Sequence, residues 1–167
     1  MRKVAASVTL VCAFLASNLS AAAQQHQEPG KKLEALFTAA EIPFTKPEDG
    51  RYVAVVTVEE GESDRFHVYL SALGNDPKDE KLQVLQMYFL LGQLPKDTPV
   101  PTALTKQIAE WNASLTFGKV IVIGTSILYT TSSWLSRTDA DTLALDAALA
   151  HYVSKDLRKA ITPYIKQ

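Results

Sequence analysis

Two stretches of alternating sequence, joined by a short polar segment, constrain the fold of this chain most strongly. Apolar side chains alternate with other residues over 52–58 and again over 66–71, and many of them are β-branched or aromatic. Between them, residues 59–64 are polar and include Gly61, as is typical of a hairpin connection. A connection this short joins antiparallel strands, since parallel pairing needs a crossover of about a dozen residues or more. The sequence therefore predicts an antiparallel sheet.

Helical spacing appears in three further places. Apolar positions recur at this spacing over residues 33–40 and from Leu104 to Leu115, and a long C-terminal helix is expected to begin after a cap at Thr138 or Asp139. The predicted apolar face of that last helix consists of Leu145, Leu149, Tyr152, Val153, Leu157 and Ile161. Asn112 is expected to end the middle helix, because Asn tolerates the left-handed backbone conformation.

The remaining segments predict strands. Residues 119–123 and 127–135 are rich in β-branched and aromatic side chains and flank a turn at Gly124. Residues 82–91 fit either a helix or a strand, and we predict a strand that continues the preceding two. The order α-β-β-β-α-β-β-α then gives a two-layer α+β domain with an antiparallel five-stranded sheet. The strand at 82–91 is apolar on both faces. A single helical layer covers only one face of a sheet, so this pattern favours a homodimer.

The first 23 residues have the features of an export signal. Arg2 and Lys3 precede an apolar run at 8–15, and three small residues at 21–23 end before a cleavage site after Ala23. The apolar run is too short to span a bilayer core of roughly 30 Å. We expect a signal peptide at 1–23, a flexible tail at 24–30 and a single domain at 31–167. The mature protein is expected in the periplasm or secreted, without stable insertion in the membrane.

Removal of this segment changes the chemistry of the chain. The one cysteine, Cys12, lies within it, so the mature chain would have no disulfide, thiol nucleophile or cysteine metal ligand. Two of the 17 basic residues are also removed, leaving fewer basic than acidic residues, of which there are 18. This balance gives no indication of nucleic-acid binding.

Several local motifs of the chain resemble the YbjN-like family of bacterial proteins. They are Ile42-Pro43-Phe44, Asp49-Gly50-Arg51-Tyr52, Leu91-Gly92-Gln93-Leu94-Pro95, Trp111-Asn112 and Phe117-Gly118-Lys119-Val120. The resemblance extends over residues 33–165. It implies a type III secretion chaperone-like fold and a role as a sensory transduction regulator. Folds of this kind form homodimers that hold partly unfolded protein segments, so the resemblance also implies a protein partner.

No pattern in the sequence predicts catalytic chemistry. His26, His67 and His151 lack the spacing of metal ligands, and Ser132 and Ser133 lie outside any nucleophile elbow. We therefore predict no catalytic residue, no cofactor and no metal. A small hydrolase stays an alternative if one of these serines meets His67 or His151 in the fold.

Four aromatic residues are candidates for binding a partner, because Trp and Tyr contribute strongly to interfaces. They are Trp111, Trp134, Tyr88 and Phe89. Filling the core is the competing interpretation of each. The sequence therefore predicts a non-enzymatic exported binding module, regulatory or chaperone-like, whose partner is a protein segment or a second copy. The alternatives are a periplasmic hydrolase and a carrier of apolar ligands.

Overall fold

The structure, a computed structural model, describes residues 29–46, 51–59, 62–73 and 79–165. The elements are α1 (Pro29–Ala39), β1 (Phe44–Thr45), β2 (Tyr52–Glu59), β3 (Glu62–Ala72), β4 (Gln83–Gln93), α2 (Thr102–Ser114), β5 (Lys119–Ile123), β6 (Ser126–Trp134) and α3 (Ala140–Ile165). The predicted signal peptide and tail residues 24–28 lie outside the described residues. Residues 29 and 30 of the predicted tail form the first turn of α1.

The strands form one antiparallel sheet in the order β1-β2-β3-β4-β6-β5. The predicted α+β class and the antiparallel sheet are confirmed, and the segment at 82–91 is a strand. The predicted count of five strands is wrong by one, because the short strand β1 follows Pro43 and adds to β2. Since β4 lies between β3 and β6, its side chains occupy the middle of both sheet faces.

One face of the sheet forms the core with the helices. Phe66 of β3 stacks on Phe89 of β4, with ring centroids 4.8 Å apart, and both side chains are fully buried. Val68 lies opposite Met87 in the same pair of strands. From α1, Leu33 and Phe37 are completely buried in this layer. Burial of such side chains on one face provides the main driving force for folding of the domain.

Helix α3 covers this face with a different set of residues from the predicted one. Its buried residues are Leu143, Ala147, Ala150, His151, Ser154, Leu157 and Ile161. Leu157 and Ile161 were predicted correctly, whereas Leu145, Leu149 and Tyr152 are 59%, 45% and 42% exposed. The small side chains at the buried positions allow the helix to lie close to the sheet. The same closeness appears at Gly92, where a Cβ atom would lie 2.9 Å from Ile161 Cδ1.

The ends of two helices also test the sequence analysis. Asp139 caps α3, because its carboxylate accepts a hydrogen bond of 2.8 Å from the Thr142 N–H. Hydrogen bonds with the Thr142 side chain, and secondly with its backbone N–H, lower the pKa of Asp139. Asn112 does not end α2, which continues to Ser114 and is followed by Leu115 in an extended conformation. The prediction for Asn112 is therefore wrong, and its side chain has another partner.

Candidate functional site

The face of the sheet opposite α1 and α3 is called the open face below. Because side chains alternate along a strand, it is formed by every second residue of β2 to β6. Its main described members are Val53, Val55, Arg65, His67, Tyr69, Ser71, Gln86, Tyr88, Leu90, Lys119, Ile121, Ile123, Leu128, Thr130, Ser132 and Trp134. Many of these side chains are apolar or aromatic, so the sheet is apolar on both sides.

A groove of about 510 Å³ crosses the middle of the open face. Tyr69 and Tyr88 lie against each other there in an edge-to-face arrangement, with ring centroids 5.4 Å apart. Leu90 and Ile123 also line the groove and are 42% and 57% exposed. Side chains of this size, left half in water, make the groove a surface on which apolar groups of another molecule can be buried.

A second hollow, of about 360 Å³, adjoins the groove on the side of β5. The two share Gln86 and Tyr88 as lining residues. The Gln86 Oε1 atom accepts hydrogen bonds of 3.1 Å from both Tyr88 Oη and Ser71 Oγ. The side-chain acceptor of Gln86 is thus engaged, while its NH₂ group remains a donor on this surface.

The charges on the open face have one sign. Arg65 on β3 and Lys119 on β5 are both exposed, and Arg51 lies at the start of β2. None of the described side chains on this face is Asp or Glu. The chain as a whole carries 18 acidic and 17 basic residues. The open face is therefore a cationic and apolar surface on a chain that is slightly acidic overall.

The four aromatic residues predicted to bind a partner do not share one location. Tyr88 and Trp134 lie on the open face, and Trp134 is 39% exposed. Phe89 lies on the covered face and is completely buried, so it has no surface to offer a partner. Trp111 is half-buried on α2 against the core.

Three members of this surface were not predicted from the sequence: Tyr69, Leu90 and Arg65. The alternation over 82–91, with apolar residues on both faces of the strand, was the signal that could have identified Leu90. Tyr69 and Arg65 follow from β3, since their positions alternate with the buried Phe66 and Val68.

The serine and histidine pairs required for the alternative hydrolase do not form. His67 and Ser132 share the open face, but β4 lies between their strands and their positions differ by two residues in register, which places them about 12 Å apart. Ser133 contacts the Thr138 hydroxyl at 3.4 Å. Ser133 pairs with Leu85 of β4, and Leu85 pairs with Leu70 of β3. Leu70 is six residues, or about 20 Å along the strand, from Asp64, the residue that His151 contacts. Ser133 is therefore far from His151.

A polar cluster between α3 and the start of β3 holds His151. His151 Nδ1 lies 3.4 Å from Asp64 Oδ2, and its Nε2 is 3.6 Å from Glu62 Oε2, too long for a hydrogen bond. Lys155 Nζ donates to both Glu62 oxygens at 2.5 and 2.8 Å, which is the main reason that the pKa of Glu62 is lowered. Arg158 Nε donates to the Leu90 carbonyl at 2.9 Å. The cluster fastens α3 to the sheet.

Two features are absent from the described part of the chain. It contains no group of three His, Cys, Asp or Glu side chains placed to hold a metal ion. None of its helices combines the length and the apolar character needed to cross a membrane.

Similarity to known proteins is found among solved structures. No protein-family model matches the sequence, and no curated protein matches it. A chain in the structure titled "Structure of the HopA1-SchA Chaperone-Effector Complex" is similar to this chain with a TM-score of 0.47 and 14% sequence identity. The match covers 77% of this chain and 91% of that chain. At this identity and TM-score the likeness establishes neither a family nor a function.

Proposed function

We propose that this chain is a non-enzymatic, exported binding module that holds a protein segment on the open face of its sheet, in a chaperone-like or regulatory role. The observation that carries the proposal is the groove on that face, lined by half-exposed Tyr69, Leu90 and Ile123. A contiguous apolar surface on a folded chain is typical of an interaction site. The sequence of residues 1–23, which has the features expected of an export signal, supports the exported location.

The charges of the open face favour an acidic partner. A segment with alternating apolar and acidic residues would bury its apolar side chains in the groove and place carboxylates near Arg65 and Lys119. Its apolar residues would gain contacts with Tyr88 and Leu90, and the opposite charges would speed association. The proposed partner is therefore an extended, acidic and apolar protein segment.

Two other occupants fit this face less well. A second copy docked face to face would be related by twofold symmetry, which places the same cationic surface on both sides of the interface. Arg65 and Lys119 would then repel their equivalents. A carrier of small apolar ligands needs a cavity that buries most of the ligand, whereas both hollows on this face are open to solvent.

The test uses two synthetic peptides of 15 residues with the same leucines and phenylalanines, one with Asp and Glu between them and one with Lys. Fluorescence anisotropy with the purified protein measures each affinity. We expect the acidic peptide to bind at least about tenfold more tightly at low salt, with the difference shrinking as salt screens the charges.

Two variants locate the site. Leu90→Asp introduces a charge into the groove and is expected to abolish binding of the acidic peptide. Leu145→Asp places the same change on α3, where Leu145 is 59% exposed, and should leave binding unchanged. The proposal would be contradicted if the two variants bound the acidic peptide equally, whether both lost or both kept that binding. It would also be contradicted if the unmodified protein did not bind the acidic peptide.

A further inference from the structure

The side chain of Asn112 pairs with the backbone of β5. Its Nδ2 donates to the Val120 carbonyl oxygen at 2.9 Å, and its Oδ1 accepts from the Val120 N–H at 2.7 Å. One carboxamide thus satisfies both backbone groups of one residue. A peptide group of an adjacent strand offers the same donor and acceptor.

These backbone groups belong to the edge of the sheet. β5 is the last strand in the order and, among the described strands, pairs with β6 alone. Alternate residues of an antiparallel strand direct their backbone groups away from the partner strand, and the Asn112 contacts place Val120 in that set. Val122, two residues on, belongs to the same set. An outer edge of this kind is a template for pairing with another chain.

The sequence of β5 makes this edge prone to pairing. Its five residues, KVIVI, include four β-branched apolar side chains and no acidic residue. Segments of high β-propensity and low charge associate readily when their edge is accessible. In the structure the outward groups of Val120 are occupied by a side chain from α2.

We propose that Asn112 closes the β5 edge, and that the partner it excludes is the β5 edge of a second copy of this chain. Two β5 strands can pair antiparallel about a twofold axis at Ile121, with Val120 of each opposite Val122 of the other. This register sets each Lys119 opposite an Ile123. The two lysines are then separated by about 13 Å, so their charges do not oppose the pairing.

The position of Asn112 on α2 suits this role. The helix ends two residues later, at Ser114, so the closing side chain comes from the last turn. Loss of the two hydrogen bonds leaves the outward backbone groups of Val120 without the Asn112 carboxamide. Because Leu104 and Trp111 also pack α2 against the core, the helix is retained while these backbone groups become available for pairing.

The first experiment compares Asn112→Ala with Ser114→Ala. Ser114 lies on the same turn and its hydroxyl donates only to the Trp111 carbonyl, at 2.9 Å, so its loss leaves β5 untouched. At low protein concentration, hydrogen exchange at the Val120 amide should be about tenfold faster in Asn112→Ala. As the concentration is raised, the mass from analytical ultracentrifugation should increase beyond that of the unmodified protein, and Val120 should become protected again.

A second pair of variants checks the register and guards against loss of folding. Asn112→Asp keeps an acceptor for the Val120 N–H but loses the donor, so it should associate more weakly than Asn112→Ala. Adding Ile123→Lys to Asn112→Ala sets a lysine opposite Lys119 of the other copy and should suppress association. Ile123 is 57% exposed, so the lysine is accommodated.

Each combination of exchange rate and mass has its own interpretation. Unchanged exchange at Val120 in Asn112→Ala would show that the carboxamide does not hold this edge. Faster exchange without any concentration-dependent increase in mass would show that it stabilises α2 but excludes no partner. If Asn112→Ala fails to fold, the same two measurements on Asn112→Asp decide the matter.

Discussion

Arg158 binds Asp64 through two guanidinium nitrogens, at 2.8 and 2.9 Å, and so ties α3 to the beginning of β3. The Asp64 side chain is only 10% exposed, and His151 lies on its other side at 3.4 Å. Paired geometry of this kind compensates for the cost of removing a carboxylate from water. Removing the carboxylate alone leaves Arg158 and His151 without their partner.

We expect Asp64→Ala to lower the free energy of unfolding by about 3 kcal/mol, because it breaks a buried ion pair and leaves a cation behind. Urea denaturation followed by circular dichroism measures the change. Asp156→Ala serves as the control, since Asp156 is 82% exposed and its pair with Lys159 is on the surface. That variant should change stability by less than about 0.5 kcal/mol, and a similar loss in both would contradict the prediction.

The orientation of α3 can be tested with two leucines of the same helix. Leu143 is completely buried and Leu145 is 59% exposed. Leu143→Ala is expected to cost about 3 kcal/mol, since it removes apolar contacts and leaves a cavity, whereas Leu145→Ala should cost less than about 0.5 kcal/mol. The free energies come from chemical denaturation. A larger loss of stability for Leu145→Ala than for Leu143→Ala would instead support the apolar face predicted from the sequence.

Gly118 and Gly124 allow backbone strain to be distinguished from steric clash as the reason that a position requires glycine. Both have positive φ, +77° and +58°, but a Cβ at Gly118 would lie 2.5 Å from the Tyr129 hydroxyl while one at Gly124 meets no atom within 4 Å. Gly124→Ala should therefore cost about 1 kcal/mol, from backbone strain alone. Gly118→Ala should cost at least about 2 kcal/mol more, measured by thermal and urea unfolding. Equal costs would show that the approach of Tyr129 is unimportant.

Two aspartates of the C-terminal region should have opposite pH effects on stability. Burial raises the pKa of Asp146 in the folded state, so its ionised form disfavours folding and stability falls as the pH rises through that pKa. Asp146→Asn should therefore raise the melting temperature at pH 7. The difference should disappear below the unfolded-state pKa of about 3.9, where both side chains are neutral.

Asp139 provides the contrast. Its contacts with Thr142 lower its folded-state pKa, so its contribution to stability is present above the unfolded-state pKa and is lost as the pH falls through the folded value. Asp139→Asn should accordingly lower the melting temperature at pH 7 and have little effect in strong acid. Changes of the same sign for the two variants at pH 7 would contradict the assignment.

Much of the fold could be predicted from local pattern. The alternation over 52–58 and 66–71 identified two strands, and the same period applied to 82–91 identified the third against a competing helical spacing. β1 escaped prediction because two residues after Pro43 carry no periodic signal. Its pairing depends on the position of β2, which only the folded chain determines.

The orientation of α3 was mispredicted for a different reason. Leu145, Leu149 and Tyr152 are the larger apolar side chains, and a hydrophobicity pattern favours them for the core. The structure instead buries Ala147 and Ala150, because close contact between a helix and a sheet selects for small volume. For the candidate site, the two-faced apolar strand indicated that the sheet has apolar side chains on its second face, whereas the pairing of Asn112 with Val120 has no signature in the spacing of residues.

The placement of α3 has a consequence for how the chain reaches its folded form. A polypeptide emerges from the ribosome N-terminus first, so the six strands are complete before the helix that covers Phe66, Met87 and Phe89 has been made. Until residues 140–161 arrive, the middle of the core face lacks its main helical cover, and the stable core is not expected to be complete. Stable folding of the chain thus requires its final segment to be present. That delay would suit the export that we propose, since an exported polypeptide crosses a membrane channel before it folds.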